Sequence, residues 1–114
     1  MQLIQPQDVQ ARLNGFIDQD LYLHLEMTTG AYANHYDSTR HPASAFISNA
    51  AIRYTQGSIS GTNPYRVGLK TTTGWVYAEG LTHIDENEKD RLILAGHDSQ
   101  GKLVVAFQLS RESF

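Results

Sequence analysis

Residues 63–82 read NPYRVGLKTTTGWVYAEGLT. Two runs rich in β-branched and aromatic residues flank a short polar connection, which describes a β-hairpin. Trp75, the single tryptophan of the chain, opens the second run. The connection is Thr71-Thr72-Thr73-Gly74, and its glycine can take φ > 0 without a Cβ clash. A three-residue loop with glycine in the left-handed position pairs Thr71 with Trp75, Leu69 with Tyr77, Val67 with Glu79 and Tyr65 with Leu81. One face then carries Tyr65, Val67, Leu69, Trp75, Tyr77 and Leu81 with a single acid, Glu79. The other carries Gly68, Ala78 and Gly80, flanked by Arg66 and Lys70. A four-residue loop instead sets Arg66 against Glu79 and Lys70 against Trp75. One residue of slip exchanges every facing, and the three-residue loop is the register expected.

The remaining chain supplies further strands to lay against this pair. Leu3–Phe16 holds the one helical pattern, with Pro6 and Asp8 suited to its first turn and Asn14-Gly15 to its end. Leu21–Thr28 alternates strictly: Leu21, Leu23, Leu25 and Met27 on one side, Tyr22, His24, Glu26 and Thr28 on the other. A second Thr-Thr-Gly follows at Thr28–Gly30. Turned like the first, it sets Glu26 opposite Tyr32, His24 opposite Asn34 and Tyr22 opposite Tyr36. Asp37–Pro42 reads as a loop. Ala43–Ser48 and Ala51–Ile59 read as strands, the second bent near Gly57. Arg91–His97 and Lys102–Leu109 form a last hairpin about Asp98–Gly101. Its runs are apolar on both faces and belong in the middle of a sheet. Arg111–Phe114 is a tail docked by Phe114. About eight strands with one short N-terminal helix make the fold mainly β, a small antiparallel barrel or sandwich.

The chain has 114 residues, enough for one domain, 1–114. Its net charge of -3, with no basic block, argues against nucleic-acid binding. Cysteine is absent, which excludes disulfides, thiolate catalysis and Cys-based zinc sites. The N-terminus lacks the pattern of a secretory signal, and no apolar run approaches the ~20 residues that span a bilayer. A cytoplasmic protein without membrane contact is expected.

Three constellations carry candidate chemistry. Tyr22, His24, Glu26, Tyr32, Asn34 and Tyr36 share one face, where aromatic rings beside His, Glu and Asn suit a polar, sugar-like or amine-bearing ligand. His24 and Glu26 point the same way and form the start of a metal or acid–base pair. A third group would come from His35, His41, His83 or His97. A solvated face of hydrogen-bonded polar pairs explains the same residues. Glu79, among Tyr65, Val67 and Tyr77, would have a raised pKa unless paired, and an ion pair with Arg66 is the plainer alternative. Gly68, Ala78 and Gly80 mark a close approach by ligand, sheet or subunit. Gly57–Gly61 lacks the phosphate-loop ending, and no Gly-x-Ser-x-Gly elbow is present. No cofactor, metal or catalytic residue is assigned.

PYRVGLKT at 64–71, GW at 74–75, YAEGLT at 77–82, HLE at 24–26 and AGH at 95–97 resemble the YojF-like proteins of Gram-positive bacteria. The resemblance covers nearly the whole chain, and PYRVGLKT and YAEGLT are its specific runs. It implies a family of unknown function, without established catalytic residues, whose members are typically encoded beside a deacetylase of bacillithiol synthesis. The implied role is an accessory or binding protein of bacillithiol metabolism; together with the polar aromatic face, the reading is a non-catalytic β-domain that binds a small polar ligand or a partner enzyme, that deacetylase, as a homodimer. The contacts expected are Tyr22, His24, Glu26, Tyr32, Arg66, Trp75, Tyr77 and Glu79. The alternative is a small metal-dependent or acid–base hydrolase using His24 and Glu26.

Overall fold

The strict alternation of residues 21–28 has its expected consequence: Leu21, Leu23 and Leu25 are buried and Tyr22, His24 and Glu26 are half-buried on the opposite face. In the computed structural model, which describes residues 1–28, 39 and 43–114, this strand lies inside a six-stranded antiparallel sheet. We label the elements β1 (Gln2–Leu3), α1 (Pro6–Gly15), β2 (Leu21–Thr28), β3 (Ser44–Ile52), β4 (Gln56–Gly61), β5 (Tyr65–Lys70), β6 (Trp75–Leu81), β7 (His83–Ile84), β8 (Arg91–His97) and β9 (Leu103–Ser110). The large sheet has the order β1-β7-β8-β9-β2-β3, and a second sheet has the order β4-β5-β6. The architecture is sandwich-like, and neither sheet closes into a barrel among the described residues. The strongly apolar β8 and β9 are interior strands of the large sheet, as their two-sided hydrophobicity requires.

The inner faces share one buried cluster. The large sheet supplies Leu92, Leu94, Val105, Phe107 and Leu109 with the β2 leucines, and the small sheet supplies Val67, Leu69, Ala78 and Leu81. Each such leucine or valine, fully withdrawn from water, contributes ~1.5–3 kcal/mol. Helix α1 adds Val9 and Leu13. It starts one turn later than the sequence suggests, at Pro6, because Gln2 and Leu3 pair with Ile84 and His83 as a short strand. The amide of Gln10 then spans the free edge of β4: its Nε2 donates to the Gly57 carbonyl and its Oε1 accepts from Ile59 N–H. An edge strand that would otherwise present open backbone groups is thereby covered.

Two strand boundaries differ from expectation. Residues 44–52 form one strand, with a bulge opposite His24 where Asn49 takes φ 54°. Asn tolerates the left-handed region, so the bulge does not end the strand. The chain changes sheets later, at 53–55, where Tyr54 is completely buried and donates to the Leu13 carbonyl at 2.6 Å. Burial pushes this phenol's pKa far above its ordinary value, with the charge of Arg111 opposing to a lesser extent. The expected pairing of β2 with residues 32–36 is also overturned from the β2 side. Glu26 pairs with Phe46 of β3 and with Ala106 of β9, so both edges of the strand are taken. Tyr32, Asn34 and Tyr36 themselves lie outside the described residues.

The two sheets come into backbone contact at a pair of glycines. Gly80 takes φ 82° at the bulge of β6, and a Cβ built on Gly96 of β8 would lie 2.0 Å from the Gly80 carbonyl oxygen. Backbone meets backbone there, which no residue with a side chain permits.

Candidate functional site

The central hairpin adopts the four-residue loop rather than the three-residue one. Lys70 pairs with Trp75, Leu69 with Val76, Gly68 with Tyr77 and Val67 with Ala78. The reason is the hydroxyl of Thr71. It accepts from the backbone N–H groups of Thr73 and Gly74, and Thr71 N–H donates to the Gly74 carbonyl at 2.8 Å. The side chain closes the turn, and Gly74 is not among the positive-φ glycines. Tyr65 still faces Leu81, because the Gly80 bulge restores the count.

This register decides what faces Glu79. Its neighbour is Arg66, whose Nε and Nη2 both donate to Glu79 Oε1. Both side chains are more than half exposed, so Glu79 is a surface ion-pair member and not a desolvated carboxylate among Val67 and Tyr65. Val67 points inward and is fully buried.

The outer face of the small sheet thus carries Arg66, Gly68 and Lys70 on β5 and Trp75, Tyr77 and Glu79 on β6. The rings of Trp75 and Tyr77 are stacked, with centroids 5.5 Å apart and planes 5° from parallel. The Arg66 guanidinium sits 4.8 Å from the Tyr77 centroid. Gly68 makes this layer possible. A Cβ there would come within 2.9 Å of the Tyr77 ring, which lies flat across the glycine. The close approach expected of Gly68 is therefore made by a cross-strand ring, while that of Gly80 is made by the second sheet. Ala78 packs in the core. The platform is open: Trp75 is 44% and Tyr77 46% exposed.

On the outer face of the large sheet, His24 Nε2 and Glu26 Oε1 are 2.8 Å apart. Phe114 lies edge-on to His24 with centroids 6.0 Å apart, the Arg91 guanidinium stands 5.1 Å from the Phe114 ring, and Asn49 Oδ1 accepts from Phe114 N–H. The tail docks as expected, with its last residue against the His24–Glu26 pair. Tyr22 lines a shallow cleft of about 330 Å³ with Asp20, Ala51, Arg53 and Arg111.

The residues proposed from sequence as one ligand set therefore divide. Tyr22, His24 and Glu26 stand on one outer face, and Arg66, Trp75, Tyr77 and Glu79 on the other, with the core between them. Tyr32 lies outside the described residues. Neither His83 nor His97 completes the His24–Glu26 pair. Register carries Glu26 through Ala106 and Ala95 to His83. That is three strand spacings, roughly 14 Å. His97 contacts His83 instead. Among the described residues no three His, Asp or Glu side chains gather closely enough to hold a metal ion. Asn49 and Arg91 were not legible as parts of this face, since a bulge and a tail contact leave no periodic signal.

Comparison with known proteins agrees with the resemblance in the residues. A family model described as "Protein of unknown function (DUF1806)" matches residues 3–114. An uncharacterised protein, YojF of Bacillus subtilis (strain 168), is 46% identical over 114 residues, covering 100% of this chain and 98% of that one. The crystal structure of the Bacillus subtilis YojF protein superposes with a TM-score of 0.80 at 43% identity, over 99% of this chain and 95% of that chain.

Proposed function

The chain belongs to the DUF1806 family of YojF-like proteins, and we propose that it is a non-catalytic accessory protein that docks a partner enzyme through the outer face of its small sheet. The observation that carries this is the exposed, stacked Trp75–Tyr77 pair with Arg66 over its edge. Tryptophan, tyrosine and arginine are the residues that dominate binding energy at protein interfaces. The platform is also open to solvent, whereas small-molecule sites are enclosed and concave. A partner surface can cover two large rings at little entropic cost, because sheet and stacking already fix them.

The partner we propose is the deacetylase of bacillithiol synthesis, in the cytoplasm. The motivation is the resemblance to a family whose members are typically encoded beside such an enzyme. A homodimer belongs to the same proposal: Phe46, 62% exposed on β3 at the end of the large sheet, is apolar surface that a second copy would cover.

The test is calorimetry with the purified deacetylase, with Trp75 emission followed in parallel. The expected result is heat and a change in emission with the enzyme, both lost in Trp75→Ala. A response to the glucosaminyl-malate substrate alone, with none to the enzyme, would transfer the face to small-polar-ligand binding. Silence toward both would sink the proposal.

A second reading, acid–base or metal-dependent hydrolysis, rests on the 2.8 Å contact between His24 and Glu26. It requires hydrolysis of an amide or ester that Glu26→Gln abolishes, and unchanged turnover in that variant would end it.

A further inference from the structure

Toward the far end of the large sheet's outer face, three strands away from the His24–Glu26 pair, two histidines meet. His83 is on β7 and His97 ends β8, where the neighbouring β9 bulges at Val104. Their Nδ1 atoms are 3.2 Å apart and their rings are perpendicular. Thr82 Oγ1 lies 2.6 Å from His83 Nδ1 and accepts from His97 N–H. Both rings border an open cleft of about 640 Å³, whose wall includes Asn63, Asp98 and Ser99.

We propose that His83 and His97 form a two-histidine site for a divalent late transition metal, of the class of Zn²⁺, Ni²⁺ and Cu²⁺. An ion bound by two imidazole nitrogens at about 2.0–2.1 Å, with tetrahedral angles, requires those nitrogens to be about 3.3 Å apart. The observed 3.2 Å is that separation without a change of backbone. The pair is also preset from two sides. Antiparallel pairing of β7 with β8 fixes the backbone, and the Thr82 hydroxyl holds the His97 N–H; its hydrogen bond with His83 Nδ1 opens when the ion takes that nitrogen.

Proton accounting is simple. With both imidazoles neutral, the contact holds one proton between the two Nδ1 atoms. On binding, that proton moves through solvent to Nε2 of the same ring, and both Nδ1 lone pairs face the ion. Two imidazoles leave coordination positions open, and the cleft gives water or an exogenous anion access to them. Imidazole donors select against Mg²⁺ and Ca²⁺. Protonation removes the lone pairs, so binding weakens as pH falls.

The experiment uses the full chain without a histidine tag. Calorimetric titration with Zn²⁺, Ni²⁺ and Cu²⁺ is expected to show one site, tightest for Cu²⁺, with no heat from Mg²⁺. His83→Ala and His97→Ala should each weaken it at least tenfold. Imidazole NMR of the unaltered protein localises the ion even if a variant fails to fold. Substoichiometric Cu²⁺ should broaden the His83 and His97 signals and spare that of His24. Absence of heat, or broadening centred on His24, would overturn the proposal.

Discussion

The two outer faces of this sandwich are built from the same residue types and end up differently equipped. Each carries aromatic and charged side chains on alternate strand positions. On the small sheet the acid and base pair across strands, Glu79 with Arg66, and leave two stacked rings open to solvent. On the large sheet the pair runs along one strand, His24 with Glu26, and the terminal Phe114 packs against it. Composition is thus a poor guide to accessibility. What separates the faces is what happens beside each strand: a ring laid across Gly68 on one, a folded-back tail held by Asn49 on the other.

The frame common to both faces is the place to break the comparison hardest. Gly96→Ala would drive a methyl group into the Gly80 carbonyl, where neither backbone can yield cheaply. A loss of about 3 kcal/mol or more is expected in urea unfolding, with both faces affected together. Tyr54→Phe removes a buried hydrogen bond from the junction between α1 and the sheet crossing, and about 1 kcal/mol should be lost at neutral pH. Its pH dependence is more telling. Because the folded phenol holds its proton more tightly, its stabilisation is complete below the ordinary tyrosine pKa of 10.0. As pH rises above that value the unfolded chain ionises first, and stability falls by up to about 1.4 kcal/mol per pH unit. That alkaline loss should be reduced in Tyr54→Phe.

The next two substitutions separate the faces. Gly68→Ala pushes chiefly against the half-exposed Tyr77 ring, which yields outward only by leaving its stack with Trp75 and its contact with Arg66. About 1 kcal/mol should be lost, and the near-ultraviolet circular dichroism of the Trp75–Tyr77 stack should collapse. Phe114→Ala should cost under about 1 kcal/mol, shift the His24 imidazole resonances and leave Trp75 emission unchanged. A change in Trp75 emission there would mean that the faces are coupled.

Much of this was legible in the residues. Alternation in 21–28 and the two-sided apolar runs of β8 and β9 fixed their burial and position, because strand period and hydrophobic content are local properties. The loop register at Thr71–Gly74 was not. It turned on a threonine hydroxyl competing for backbone N–H groups, and composition alone favoured the glycine. The pairing of β2 with β3 was hidden by a Thr-Thr-Gly that resembles a hairpin turn. The candidate site suffered most, since Glu26 and Glu79 stand on opposite faces once the register is known. The meeting of His83 with His97 depended on which strands pair, since His97 stands diagonally across from His83 in the β7–β8 ladder and a two-residue strand leaves no period to read.

Amide NMR mapping on addition of the proposed partner, the deacetylase, tests the central assignment most directly. Perturbations should concentrate at Arg66, Gly68, Lys70, Trp75, Tyr77 and Glu79, with Tyr22, His24 and Glu26 unaffected. Perturbations centred on Tyr22, His24 and Glu26, with the Trp75 indole unmoved, would contradict it.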